Sequence, residues 1–271
     1  MRKQTKAGRY SGGTSGSAWR TRSVKGVPGG SRVPWGVLGA GAVIVALVSL
    51  IGYNLAPKIV DRTQAERFAP SVEDPDPSRG IDGVFEIDYA AARHVEPAQR
   101  VAYDQSPPFG GPHDQTWATC TGVVYSTALR SENAVHSLEH GAVWVTYDPN
   151  RVSAEDLDVL SARVEGQPYM LMSPYPDLQS PITLQSWGHR LELDTASDRR
   201  ITQFIAALRQ NPSTHPENGA SCSTIPGAFD PDNPPPFDAS EPGRDAVPVE
   251  EMPSGTAASD PVPMPTEGGT R

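Results

Sequence analysis

The sequence predicts a small α+β domain, or an α/β one compatible with a thioredoxin-like layout, in which helices pack on a mixed sheet. One N-terminal transmembrane helix precedes this domain, and disordered ends flank the whole. Three observations carry the prediction. Segments patterned as strand, helix, strand, strand, strand, helix follow one another between residues 141 and 210. An uncharged run of 21 residues extends from Trp35 to Leu55. Both ends of the chain are compositionally extreme.

Residues 1–33 hold eight basic side chains and no acid, with Gly and Ser filling much of the rest, so they read as a disordered cytoplasmic arm. The apolar run 35–55 that follows is long enough as a helix to cross a hydrocarbon core of about 30 Å. Trp35 and Tyr53 sit near its two ends, where amphipathic rings prefer the interface. The positive-inside rule then leaves the N-terminus in the cytoplasm and the rest of the chain outside the cell membrane. A cleaved signal peptide fits less well, because its basic and apolar regions are both shorter. The basic arm is expected to lie against anionic lipid, and with no folded nucleic-acid reader beside it, no nucleic-acid partner is predicted. Residues 56–79 read as a stalk, residues 80–225 as the extracytoplasmic folded domain. The formal net charge of −9 comes largely from the tail, 226–271, whose nine acids and eleven prolines predict a disordered acidic extension.

Within the domain, residues 82–115 read as loop with one helix around Ala90–Val101. Ser131 is an expected N-cap and Gly141 an expected C′ residue, bracketing a short helix. Residues 141–147 are β-branched and aromatic, hence strand, ended by Asp148-Pro149-Asn150. Ser153 caps a helix that keeps Leu157, Leu160 and Val164 on one face. Tyr169–Met172 is a short strand. Ile182–Trp187 and Arg190–Leu193 form a hairpin across Gly188-His189. Ser197–Gln210 is amphipathic, with Ile201, Phe204, Ile205 and Leu208 at helical spacing. The two cysteines, Cys120 and Cys222, are not a C-x-x-C pair. An oxidising compartment predicts that they form one disulfide. The alternative is two free thiols, one of them a metal ligand.

The chemistry is concentrated in His136-Ser-Leu-Glu139-His140-Gly141. Two imidazoles four apart share a helix face, and the string reads H-x-x-E-H. His113, after the stiff Pro107–Pro112 loop, and Glu139 are candidates to complete a site. Met170 and Met172, two apart on a strand, turn their thioethers the same way. A His/Met set suits copper, especially Cu(I); three His, or two His and a carboxylate, suit zinc. The plain alternative makes the histidines structural hydrogen-bonding posts in a domain that displays its loops to an envelope protein partner. A zinc peptidase, with Glu139 as base and Glu217 as third ligand, ranks lower. G-x-S-x-G, P-loop and dinucleotide motifs are absent, and an enzyme is less expected than a binding protein.

The strings from Tyr103 to His113 (YDQSPPFGGPH), Trp117 to Tyr125 (WATCTGVVY) and Val135 to Pro149 (VHSLEHGAVWVTYDP) resemble the bacterial domain of unknown function 3105. Ser173–Pro176, Ser186–Gly188 and Pro216-Glu217 fit the same pattern. The resemblance implies a single-span membrane protein with an extracytoplasmic domain, and no established activity.

Overall fold

The computed structural model describes residues 35–249 apart from Ala98 and Ile225, and apart from the side chains of Val37, Asn54, Pro57 and Lys58. The basic arm and the tail beyond residue 249 lie outside the described residues. The chain divides into two units, one ending at Ile51 and the other beginning at Gly52.

Among the described residues the first unit consists of the N-terminal part of α1 (Trp35–Arg67). Its apolar side chains, among them Val43, Ile44, Val45 and Val48, are exposed. Among the described residues no helix is long and apolar enough to cross a membrane.

The second unit is built on a six-stranded sheet. Its strands are β1 (Val84–Glu86), β5 (Thr121–Val124), β6 (Val143–Tyr147), β7 (Met170–Pro174), β8 (Ile182–Ser186) and β9 (His189–Leu193), in the order β1-β9-β8-β6-β7-β5. β5, β7 and β6 run parallel, whereas β8, β9 and β1 each pair antiparallel to a neighbour. Helices α2 (Ser131–Glu139), α3 (Ala154–Val164) and α4 (Arg200–Leu208) pack on it, as a mixed α+β sheet requires.

Alternation along the strands makes two cores. Val143, Val145, Met170 and Met172 join Leu160 and Val164 of α3 and Ile201 and Phe204 of α4 in one cluster. Trp144 and Leu171, the residues between them, join Val135 and Leu138 of α2 in the other. Ser153 caps α3 by accepting from the Asp156 amide at 3.0 Å. The hairpin turns one residue earlier than predicted, at Trp187-Gly188: His189 pairs with Ser186, and Gly188 takes the positive φ of 70°.

Three expectations need correction. Among the described residues no helix occupies 90–101; Pro97 would break it, and the segment instead supplies β2 (His94–Val95) and β3 (Val101–Ala102). The predicted stalk is helical to Arg67, and it packs on the domain. Asp61 and Gln64 accept from Thr202 and Gln203, and Phe68 enters the first core. The tail is not free from residue 226: Phe229 is buried in the second core, Pro236 bridges to Leu129, and Asp238 pairs with Arg100 at 2.5 Å. A short strand there, β10 (Val247–Pro248), lies parallel to β3. Two aromatic residues, Phe229 and Phe237, supply the apolar anchors that the composition as a whole hides.

Candidate metal centre

β4 (His113–Asp114) follows the Pro-rich loop and pairs in parallel with β2, in a register that places His94 opposite His113. Residues directly paired share a face, and the two rings lie 5.0 Å apart. Helix α2 packs across β4, brought there by side chains at its N-terminus. Arg130 pairs with Asp114 and donates to the Gln99 carbonyl at 2.7 Å, while Glu132 accepts from the Val101 amide at 3.0 Å. Ser131 opens the helix and does not cap it; the N-cap is Arg130, which makes no side-chain cap bond. The other end is as predicted: Gly141 has φ 88°, and its amide returns to Leu138. A Cβ there would meet the His215 ring at 2.6 Å.

This packing brings four of the chain's six histidines into one cluster. The His113 and His136 rings are 4.7 Å apart, His94 and His136 5.1 Å, and His136 and His140 4.6 Å. Each buried ring is held by one nitrogen. His113 Nδ1 lies 2.9 Å from the Gly111 carbonyl, His136 Nδ1 2.6 Å from that of Asp114, and His140 Nδ1 2.9 Å from that of Ser221. A carbonyl only accepts, so each Nδ1 carries a proton, and in the neutral form of each ring the lone pair lies on Nε2. That is the tautomer a metal ligand needs, fixed by the kind of outer hydrogen bond such ligands have.

Glu139 completes the group. Its Oε1 accepts from the Ala92 amide at 2.7 Å, with Ala92 held at φ 54°, an unusual conformation for a residue with a Cβ. Its Oε2 lies 2.8 Å from His113 Nε2. The two atoms are close without the alignment of a hydrogen bond, and both are buried with no other partner. The donor atoms of His94, His113, His136 and Glu139 all fall within 4.8 Å of one another. A second group, His136, His140 and Glu217, meets the same limit, with His140 Nε2 3.1 Å from Glu217 Oε2.

The electrostatics favour ligands ready at neutral pH. Burial, together with the neighbouring His113 and His140 rings, pushes His136 down to about 3. Burial also lowers His140, against the opposing pull of Glu217. For Glu139 burial acts upward, but His113 and the Ala92 amide outweigh it and hold the carboxyl below its usual range. The site therefore presents a neutral His136 beside the ionised Glu139 carboxylate. Trp117 closes one side, 5.4 Å from His136 and 4.7 Å from His140, and Trp187 lies 5.9 Å from His113.

Of the predicted residues, His113, His136 and Glu139 come together, and His140 adjoins them through His136. Met170 and Met172 do not. Their shared strand face is turned into the core under α3 and α4, while Leu171 between them faces α2. The thioether ligand set is thereby excluded. The peptidase assignment of Glu139 fares no better, since a general base must reach water and this carboxylate is fully buried against His113 and Ala92. Sequence reasoning missed His94, which carried no periodicity or helix signal; only the β2–β4 register reveals it. Cys120 and Cys222 are disulfide-bonded, tying β5 to the loop that bears Glu217 and Ser221.

No curated protein and no solved structure matches the chain. Residues 94–224 match the family described as "Protein of unknown function (DUF3105)", a span that opens on His94 and includes every side chain of both donor groups as well as both cysteines. Residues 94–224, most of the folded domain, are thus similar to that uncharacterised family.

Proposed function

We propose that the domain binds a divalent transition metal ion through His94, His113, His136 and Glu139, with zinc the ion its donors suit best and copper next. The carrying observation is the convergence of His113 Nε2 and Glu139 Oε2, both buried and neither in an aligned hydrogen bond, beside the neutral His136. A buried polar atom without a partner costs about 1–3 kcal/mol, and here two such atoms meet at one point. An ion between them would satisfy both. Three imidazole nitrogens and one carboxylate oxygen are a zinc-type tetrahedral set. With the thioethers turned away, the set offers nothing soft that would select Cu(I).

Four protein donors leave no open position, which suits a holding or structural site better than catalysis. The plain reading of the histidines as hydrogen-bonding posts accounts for their Nδ1 atoms and makes ion pairs of His113 with Glu139 and of His140 with Glu217, but it gives no reason for the convergence of three rings and a buried carboxylate. The test is metal content by mass spectrometry on the full chain in detergent, after dialysis against zinc and against copper. Near-stoichiometric metal, lost in a folded His113→Ala/His136→Ala variant, supports the reading; equal background in both ends it.

The same proposal gives the domain an address. The uncharged run 35–55 would anchor it in the cytoplasmic membrane, with the basic arm on anionic lipid and the metal centre outside. Support comes from the sequence run, from its lying wholly within α1, and from a disulfide that fits an oxidising compartment. Carbonate-resistant membrane association that is lost when residues 1–55 are removed would support the anchor. Release of the full chain by carbonate would refute it.

A further inference from the structure

We propose that the cluster holds a second divalent cation, between His140 and Glu217, so that α2 serves two ions. The inference rests on the metal reading of the inner group. His140 is buried and faces Glu217 Oε2 across 3.1 Å, with its other nitrogen fixed by the Ser221 carbonyl. The carboxylate is placed by its backbone as well, because the Glu217 amide donates to the Glu139 carbonyl at 3.1 Å. The disulfide closes the same loop against β5, where the Cys120 amide donates to the Cys222 carbonyl at 3.0 Å.

Counting lone pairs gives the logic. His136 belongs to both donor groups, and with its Nδ1 held by the Asp114 carbonyl it has only Nε2 to offer. The inner point keeps His94, His113 and Glu139 without it; the outer point keeps His140 and Glu217 without it. One ion therefore cannot use every donor, and two ions can divide them, with His136 serving either. The outer point has fewer protein donors and a partly exposed carboxylate, its side chain 36% accessible. Its ion retains open positions for water or an exchangeable ligand, as ions held by fewer than four protein donors do. The outer ion is consequently the weaker and the faster to exchange.

The experiment is a zinc titration of the full-length chain in detergent, read by native mass spectrometry, on the wild type and on Glu217→Gln, His140→Ala and His189→Ala. Two ions are expected in the wild type, one in each of the first two variants and two in the third. Glu217→Gln preserves shape, so a misfolded His140→Ala leaves the test intact. His189→Ala controls for the separate group of Asp76, Glu86 and His189. One ion in the wild type and in Glu217→Gln alike would overturn the second site while sparing the first. Loss of the second ion in His189→Ala, or its retention in Glu217→Gln, would overturn it too. No ion in the wild type would overturn both readings.

Discussion

Glu139→Gln separates a metal centre from a set of structural histidines, because it removes a charge and little volume. The amide oxygen can still accept from the Ala92 amide, so the hydrogen bond that positions the loop survives. What is lost is the anionic donor facing His113 Nε2, one of four in the inner group. Loss of such a ligand is expected to weaken zinc by about 100-fold or more, since outer-shell changes alone cost about 10–100-fold. At free zinc near 100 times the wild-type dissociation constant, binding stabilises the fold by about 2.7 kcal/mol. With a 100-fold weaker site the same zinc contributes only about 0.4 kcal/mol. For a unit of this size, that is a zinc-induced rise in Tm of roughly 5–10 °C falling to about 1 °C. Differential scanning fluorimetry at buffered free zinc, on both proteins, reads this directly. Equal zinc-dependent shifts in the two proteins would refute the assignment of Glu139 as a ligand.

Other outcomes follow from the same geometry. Metal-free protein should lose stability as pH falls from about 6.5 towards 4, by about 1.4 kcal/mol per pH unit for each proton taken up on unfolding. The sign comes from His136, which stays neutral when folded down to about 3 but takes a proton when unfolded; the lowered His140 and His215 act in the same direction. Flat urea midpoints across that range would contradict it. Replacing both cysteines by Ser opens a link between residues 102 apart and should cost up to about 4.7 kcal/mol, the chain-entropy value for such a loop. The same change should weaken the outer ion more than the inner one, and a zinc titration of the folded variant checks this. Phe229→Ala should destabilise by about 3 kcal/mol if the tail is part of the core, measured by denaturant unfolding. An unchanged midpoint would return the tail to the solvated extension that its composition suggests.

Local rules were legible where one element decided the outcome. Ser153 and Gly141 are read from capping chemistry alone, and the apolar faces of α3 and α4 from their spacing. The disulfide followed from cysteine number and compartment. The donor set was legible only in part, because α2 and its C-cap carry His136, Glu139 and His140 while the remaining donors come from distant segments. His94 belongs to a two-residue strand, too short for any periodicity, and its role exists only through pairing with His113. Met170 and Met172 share a strand face as expected, but which face meets the histidines depends on where α2 packs, and a period of two cannot say that. The tail illustrates the same limit: a disordered composition conceals two aromatic anchors whose pockets lie far away in sequence.

X-ray absorption at the zinc edge of the loaded full-length protein tests the central claim most directly. The account predicts a first shell of nitrogen and oxygen only, at about 2.0–2.1 Å, with imidazole outer-shell scattering. A sulfur shell near ~2.3 Å, or a zinc edge no stronger in the wild type than in His113→Ala/His136→Ala, would contradict it.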